Sequence, residues 1–140
     1  MSGVVGYIGG KNPVEVLVAG LYRIKGHDSA GVAVVNDEGV TAVKSLGKLE
    51  NLEAKLAAQP VTGHLGIGHA RWATHGVPNE TNAHPHFDAL NEIAVVHNGI
   101  IENYQELRTS LQQEGVAFRS QTDSETLAHL IRKYYQGNLF

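Results

Sequence analysis

Cysteine is absent from this chain, which excludes disulfides, thiolate metal sites and a cysteine nucleophile. No apolar run approaches the ~20 residues that a membrane-spanning helix needs. The 11 Lys and Arg against 14 Asp and Glu are scattered rather than blocked, and the net charge is −3. The electrostatic footprint of a nucleic-acid binder is therefore missing, and neither nucleic acid nor membrane is an expected partner. The start has no basic region followed by a long hydrophobic stretch, so the chain is expected to be cytoplasmic. Asn79-Glu80-Thr81 is then a chance sequon, because glycosylation requires secretion.

What is present suits a globular protein: 140 residues, 42% hydrophobic and 18% charged. That length is expected to make one domain, 1–140, around one core. Val4, Val5, Tyr7 and Ile8 between glycines read as a short buried strand. Asn12 offers a helix cap, Pro13 suits the first helical position and Glu15 completes an Asn-x-x-Glu capping box. Val14, Leu17, Val18 and Leu21 share one helical face, and Gly26 is the expected stop.

Residues 30–35 and 40–43 around Asp37-Glu38-Gly39 predict a hairpin. Leu49, Leu52 and Leu56 predict a short helix. Residues 65–69 and 93–96 read as core strands. A helix is expected over 104–114, with Leu107 and Leu111 inward and Gly115 as its C-terminal cap. Thr122 and Glu125 read as a second capping box, with Leu127, Leu130, Ile131 and Tyr134 as the apolar stripe of a last helix. Clustered strands flanked by helices indicate an α+β fold in stacked layers.

The segment "GHARWATHGVPNETNAHPH" is the least ordinary stretch, since a long irregular segment between core strands is usually functional or disordered. Three readings stay open for it. It is a packed surface loop with Trp72 over the core; or a metal site drawn from His69, His75, His84, His86 and His97; or a pocket for a small carboxylate, with Arg71 as a bidentate fork and Thr74 and His75 as polar contacts. No helical His-x-x-x-His pair and no cysteine supports the metal.

Asn98-Gly99 is either a hairpin turn or a pair of oxyanion donors, the Asn98 amide and the Gly99 N–H. Asp123 either complements a helix dipole or accepts hydrogen bonds from a ligand's ammonium group.

Taken in order, "GHARWATHG", "NAHPH", "HNGIIENYQELR" and "TDSETLAHLI" closely resemble the glutaminase domain of the glutamine–fructose-6-phosphate amidotransferases, which are class II amidotransferases and N-terminal nucleophile hydrolases. The resemblance runs from Gly3 to the last helix. It implies an αββα layered sandwich, here incomplete, with an exposed sheet edge that invites homo-oligomers. It implies glutamine or glutamate as ligand, ammonia as product, and no cofactor or metal.

By the same resemblance Ser2 occupies the position of the nucleophilic Cys, with its α-amine as base once Met1 is removed. Asn98 and Gly99 would form the oxyanion hole, Arg71 would clamp the α-carboxylate, Thr74 and His75 would line that pocket and Asp123 would hold the α-amino group. Trp72 would belong to a covering loop.

Three departures accompany the match. A hydroxyl replaces the thiol; Lys25 and His27 replace an Arg and a Tyr in a shortened approach to Asp28; and the chain is expected to lack the isomerase part of the family. Amidase activity is therefore expected to be low or absent. The alternative is a non-catalytic glutamine-binding or assembly module.

Overall fold

The computed structural model describes residues 2–25, 27–73 and 76–138. The first strand, β1 (Gly3–Ile8), leads into α1 (Pro13–Leu21). The Asn12 side chain accepts the Val14 amide at 3.2 Å, so the expected N-cap forms. The helix ends at Leu21, earlier than the expected stop at Gly26, which lies outside the described residues.

The hairpin β2 (Ser29–Asn36) and β3 (Gly39–Leu46) turns through Asp37-Glu38, with Gly39 at φ +125°. Glycine meets that positive φ without a Cβ penalty. Then come α2 (Leu49–Ala58) and β4 (Leu65–Arg71).

These strands form one antiparallel sheet in the order β1-β4-β2-β3. Side chains alternate across it. Ala30, Val32 and Val34 of β2 and Ala70 of β4 turn to the helical side, where Leu17, Leu21, Leu49, Leu52 and Leu56 bury them in the main core. Gly66 and Gly68 let α1 press onto β4: a Cβ on Gly66 would lie 2.8 Å from a methyl of Leu17. Each buried leucine contributes about 2 kcal/mol of apolar burial.

The opposite face of the sheet carries Lys44, Gly31, His69 and Val4 in one row, and Arg71 beside Ser29 in the next. A second, two-stranded antiparallel sheet is made of β5 (His86–Phe87) and β6 (Ala94–Val95), and α4 (Glu125–Tyr134) packs on it, with α3 (Tyr104–Gln113) beside α4. The order helix, sheet, sheet, helix is the expected αββα layering, and its second sheet is small. At the end of α3 the Gly115 amide bonds to the Gln112 carbonyl and the Val116 amide to that of Leu111, with Gly115 at φ +95°, so the expected glycine cap is a Schellman motif.

Two expectations need correction. β6 is shorter than the apolar run 93–96 suggested, because the peptide of His97 is bonded by side chains instead of a neighbouring strand. The second capping box does not form: Ser124 occupies the N-cap, and Glu125 accepts the Arg119 and Ser120 amides and the Ser120 hydroxyl. Thr122 instead bonds His86 Nε2 at 2.8 Å. The fully covered face of α4 is Glu125, Thr126, Ala128 and His129, while Leu127, Leu130 and Ile131 are half-buried and Tyr134 is exposed. Polar pairing, Glu125 with His129 at 2.8 Å, overrides the apolar stripe there.

Candidate active site

Ser2 extends β1 one residue past the Gly3↔Ala70 pair and so arrives beside the end of β4. Its hydroxyl accepts the Trp72 amide at 2.6 Å, and its carbonyl accepts the Asn98 side-chain amide at 2.8 Å. A cavity of about 430 Å³ opens there. Ser2, Arg71, Trp72, Asn98, Gly99 and Asp123 all line it. Six candidates separated by up to 121 positions thus meet in one place. Thr74 and His75 lie outside the described residues, as does Met1.

Arg71 ends β4 with its guanidinium buried on the inter-sheet face. It donates to the Gly76 and Val77 carbonyls at 3.3 and 3.4 Å, which braces it against the loop that follows. Burial lowers its pKa, while the carboxylates of Asp28 and Asp123 oppose that shift and keep it a cation. A buried fork flanked by two acids is suited to one end of a zwitterion. Asp123 accepts the Ile101 amide at 2.7 Å, tying the stretch after Gly99 to the start of α4. Trp72 is 57% exposed at the rim. The surface-loop reading, with Trp72 covering core, does not describe it.

Asn98 and Gly99 do not close a hairpin; they follow β6 at the cavity wall, with Gly99 at φ +143°. The turn reading is corrected accordingly. A Cβ on Gly99 would approach the His97 ring to 3.3 Å, so glycine also meets a packing need there.

His69, His84 and His97 line the same cavity, and His86 packs behind them. The His69 and His84 rings stack with centroids 3.9 Å apart, 15° from parallel, and His86 meets His84 edge-on at 4.6 Å. Burial pushes the His69 pKa down to about 4, against the His97 carbonyl that its ring bonds. Burial, followed by the charge of Lys44, takes His86 to about 3, and burial with the two neighbouring imidazoles lowers His84 further. All three are neutral at pH 7. Among the described residues no group of three or more His, Asp or Glu is arranged to hold a metal ion. These imidazoles bond protein groups instead.

Asp28 is the residue that motif reading did not place in the site. Its carboxylate accepts the Ala73 amide at 2.7 Å, and its own amide bonds the Arg71 carbonyl at 2.7 Å, fixing the turn out of β4. An acid directly before the small residues that start β2 was the available signal. Ser124 adds a further contact, its hydroxyl 3.1 Å from His97 Nδ1. His27, one of the departures noted in the sequence, has both ring nitrogens buried without a hydrogen-bond partner.

Known proteins resemble this chain in sequence and fold. A family model described as glutamine amidotransferase domain matches residues 30–138. The glutamine–fructose-6-phosphate aminotransferase (isomerizing) of Clostridium acetobutylicum is 52% identical over 99% of this chain, and that of Thermus thermophilus is 51% identical over 99%. The chain spans 23% of the length of each of these relatives. Among solved structures, a B. subtilis glutamine phosphoribosylpyrophosphate amidotransferase complexed with ADP and GMP matches with TM-score 0.81 and 29% identity, over 100% of this chain and 30% of that one. An allosteric regulatory enzyme of purine biosynthesis matches with TM-score 0.82 and 30% identity, again over 100% and 30%. With the family match covering most of the chain and the fold held in common, the chain belongs to the glutamine amidotransferase domain family.

Proposed function

We propose that the cavity at the end of β4 binds glutamine and is built to hydrolyse its side-chain amide, as a glutaminase-type domain or the N-terminal part of one. Arg71 takes the α-carboxylate and Asp123 the α-ammonium, with Thr74 and His75 completing the pocket and Trp72 covering it. The amide carbon then faces Ser2, and the Asn98 amide with the Gly99 N–H receives the negative charge that develops on its oxygen.

In the reaction Ser2 Oγ adds to that carbon and its proton passes to the α-amine of residue 2, freed by loss of Met1. The base returns the proton to the departing nitrogen, and ammonia leaves. Water then cleaves the glutamyl ester to glutamate. A hydroxyl is the weaker nucleophile, since it has no counterpart to the few per cent of thiolate in a thiol at neutrality. Turnover is accordingly slow, and the ammonia acceptor, the sugar phosphate of the relatives' reaction, binds outside these residues.

One observation carries the reading: Ser2, Arg71, Asp123 and Asn98-Gly99 line the same cavity. The test is calorimetric titration with glutamate. Binding that weakens about 30- to 150-fold in Arg71→Ala, the loss of a charge-assisted bidentate contact worth ~2–3 kcal/mol, supports the reading. Absence of binding to folded protein, or indifference to Arg71→Ala, overturns it.

The Ser2 hydroxyl, held by the Trp72 amide where a thiol is expected, favours a second reading. In it the chain binds glutamine without turning it over, as an assembly module or homo-oligomer. Glutamate binding together with a complete lack of ammonia release, even after Ser2→Cys and removal of Met1, would favour that alternative.

A further inference from the structure

His97 precedes the oxyanion pair, and its peptide groups have no strand partner. Two imidazoles serve them instead. His69 Nε2 lies 3.1 Å from the His97 carbonyl, and His84 Nδ1 lies 3.3 Å from the His97 amide nitrogen. The two rings are stacked, 1% and 4% exposed as residues, and they reach residue 97 from different parts of the chain, β4 and the loop before β5.

The geometry assigns the tautomers. A carbonyl can only accept, so His69 carries its proton on Nε2; an amide can only donate, so His84 leaves Nδ1 bare and carries its proton on Nε2. The unpartnered His69 Nδ1 is the bare nitrogen of that tautomer. The approach is made possible by Gly31, where a Cβ would lie 2.0 Å from the His84 carbonyl oxygen.

We infer that His69 and His84 are positioning residues that clamp the two sides of the His97 peptide and thereby aim Asn98 and Gly99 at the reacting carbonyl. The inference rests on the proposed amide hydrolysis for its kinetic readout and on the peptide geometry alone for its spectroscopic one. Both rings border the cavity, but the nitrogens that bond residue 97 are committed to its peptide, so the clamp works through orientation. Its loss leaves the α-carboxylate and α-ammonium contacts in place. A donor displaced by a fraction of an ångström still binds glutamine but meets the developing oxyanion poorly, which lowers kcat and spares KM.

The side-chain amides provide a crossed test. In Asn the amide reaches the position of Nδ1, and in Gln that of Nε2. His84→Asn therefore keeps an acceptor for the His97 amide and His84→Gln loses it, whereas His69→Gln keeps a donor for the His97 carbonyl and His69→Asn loses it. In a Ser2→Cys background with Met1 removed, His69→Gln and His84→Asn are expected to retain kcat within about threefold. His69→Asn, His84→Gln and the two leucine variants, His69→Leu and His84→Leu, are expected to lose about 10- to 100-fold in kcat with little change in KM. Nitrogen-15 NMR of the unliganded chain reads the same pattern as shifts of the His97 and Gly99 amides and the Asn98 side-chain amide.

Equal loss in all four amide variants, or kcat and KM moving together, would overturn the clamp. So would unchanged NMR positions in the leucine variants. A parent that hydrolyses no glutamine refutes the functional reading, and the NMR pattern still decides the clamp.

Discussion

Acid should unfold this chain through its interior histidines. His69, His84 and His86 are all buried, and burial lowers each pKa, to about 4 for His69, about 3 for His86 and lower for His84. Arg71, Lys44 and the neighbouring imidazoles add to the shift, while Glu125 opposes it at His86. In the unfolded chain each titrates near 6.5. Below that pH the unfolded state binds more protons than the folded state, so stability falls as pH falls, until the native rings themselves protonate at about 4 and below. At pH 5 each ring that remains neutral in the fold gives up about 2 kcal/mol, from ~1.4 kcal/mol per pH unit over roughly one and a half units. The three together remove about 6 kcal/mol, much of what a domain of this size possesses.

Glu125 adds little in this window, because burial, which alone would raise its pKa, is outweighed by bonds from His129, Ser120 and the Arg119 amide that hold it at about 2. Its contribution is lost only between the ordinary carboxylate range and pH 2. The assay is urea unfolding by far-ultraviolet circular dichroism at pH 7.5 and 5.0. A slope near three protons per molecule below pH 6 is expected, falling by about one in His84→Asn. A change of less than ~1 kcal/mol between the two pH values would refute the reasoning, as would an unaltered slope in that variant.

Gly31→Ala places a methyl against backbone that cannot yield cheaply, so it should cost ~3 kcal/mol or more and shift the Asn98 side-chain resonance in nitrogen-15 NMR. Leu52→Ala opens a cavity beneath α2 in the main core, and urea denaturation should register a loss of ~3 kcal/mol with glutamate binding intact. Asp28→Asn weakens the cap on the Ala73 amide, which with the Asp28 amide bond to the Arg71 carbonyl fixes the turn that positions Arg71. Calorimetry should then report weaker glutamate binding by about 10-fold, with the unfolding midpoint changed far less.

Local signals carried much of the architecture. Asn12 and Pro13 announced α1, Gly115 announced the end of α3, and the apolar runs of β2 and β3 met at a two-residue turn. Each of these features depends on residues a few positions apart. Signals that depend on distant partners were less legible. Glu125 carried a capping-box pattern, yet its carboxylate is satisfied by residues 119 and 120, which fold back over the start of α4. Tertiary bonds decided that position. The histidines suggested ligands by their number alone, whereas only the packing of β4 against the loop before β5 reveals that His69 and His84 stack on one another. Asp28 was passed over because its carboxylate acts on a backbone amide 45 positions away, that of Ala73.

The most direct measurement of the central claim uses the chain's freedom from cysteine. Ser2→Cys introduces a single thiol at the proposed reaction centre, and a γ-halomethyl-ketone analogue of glutamine can then be offered to it. Mass spectrometry should find one adduct at position 2, formed slowly in excess glutamate and at least about tenfold more slowly in Arg71→Ala. Labelling that glutamate does not slow, and that proceeds equally without Arg71, would contradict a glutamine cavity shared by residue 2 and the arginine.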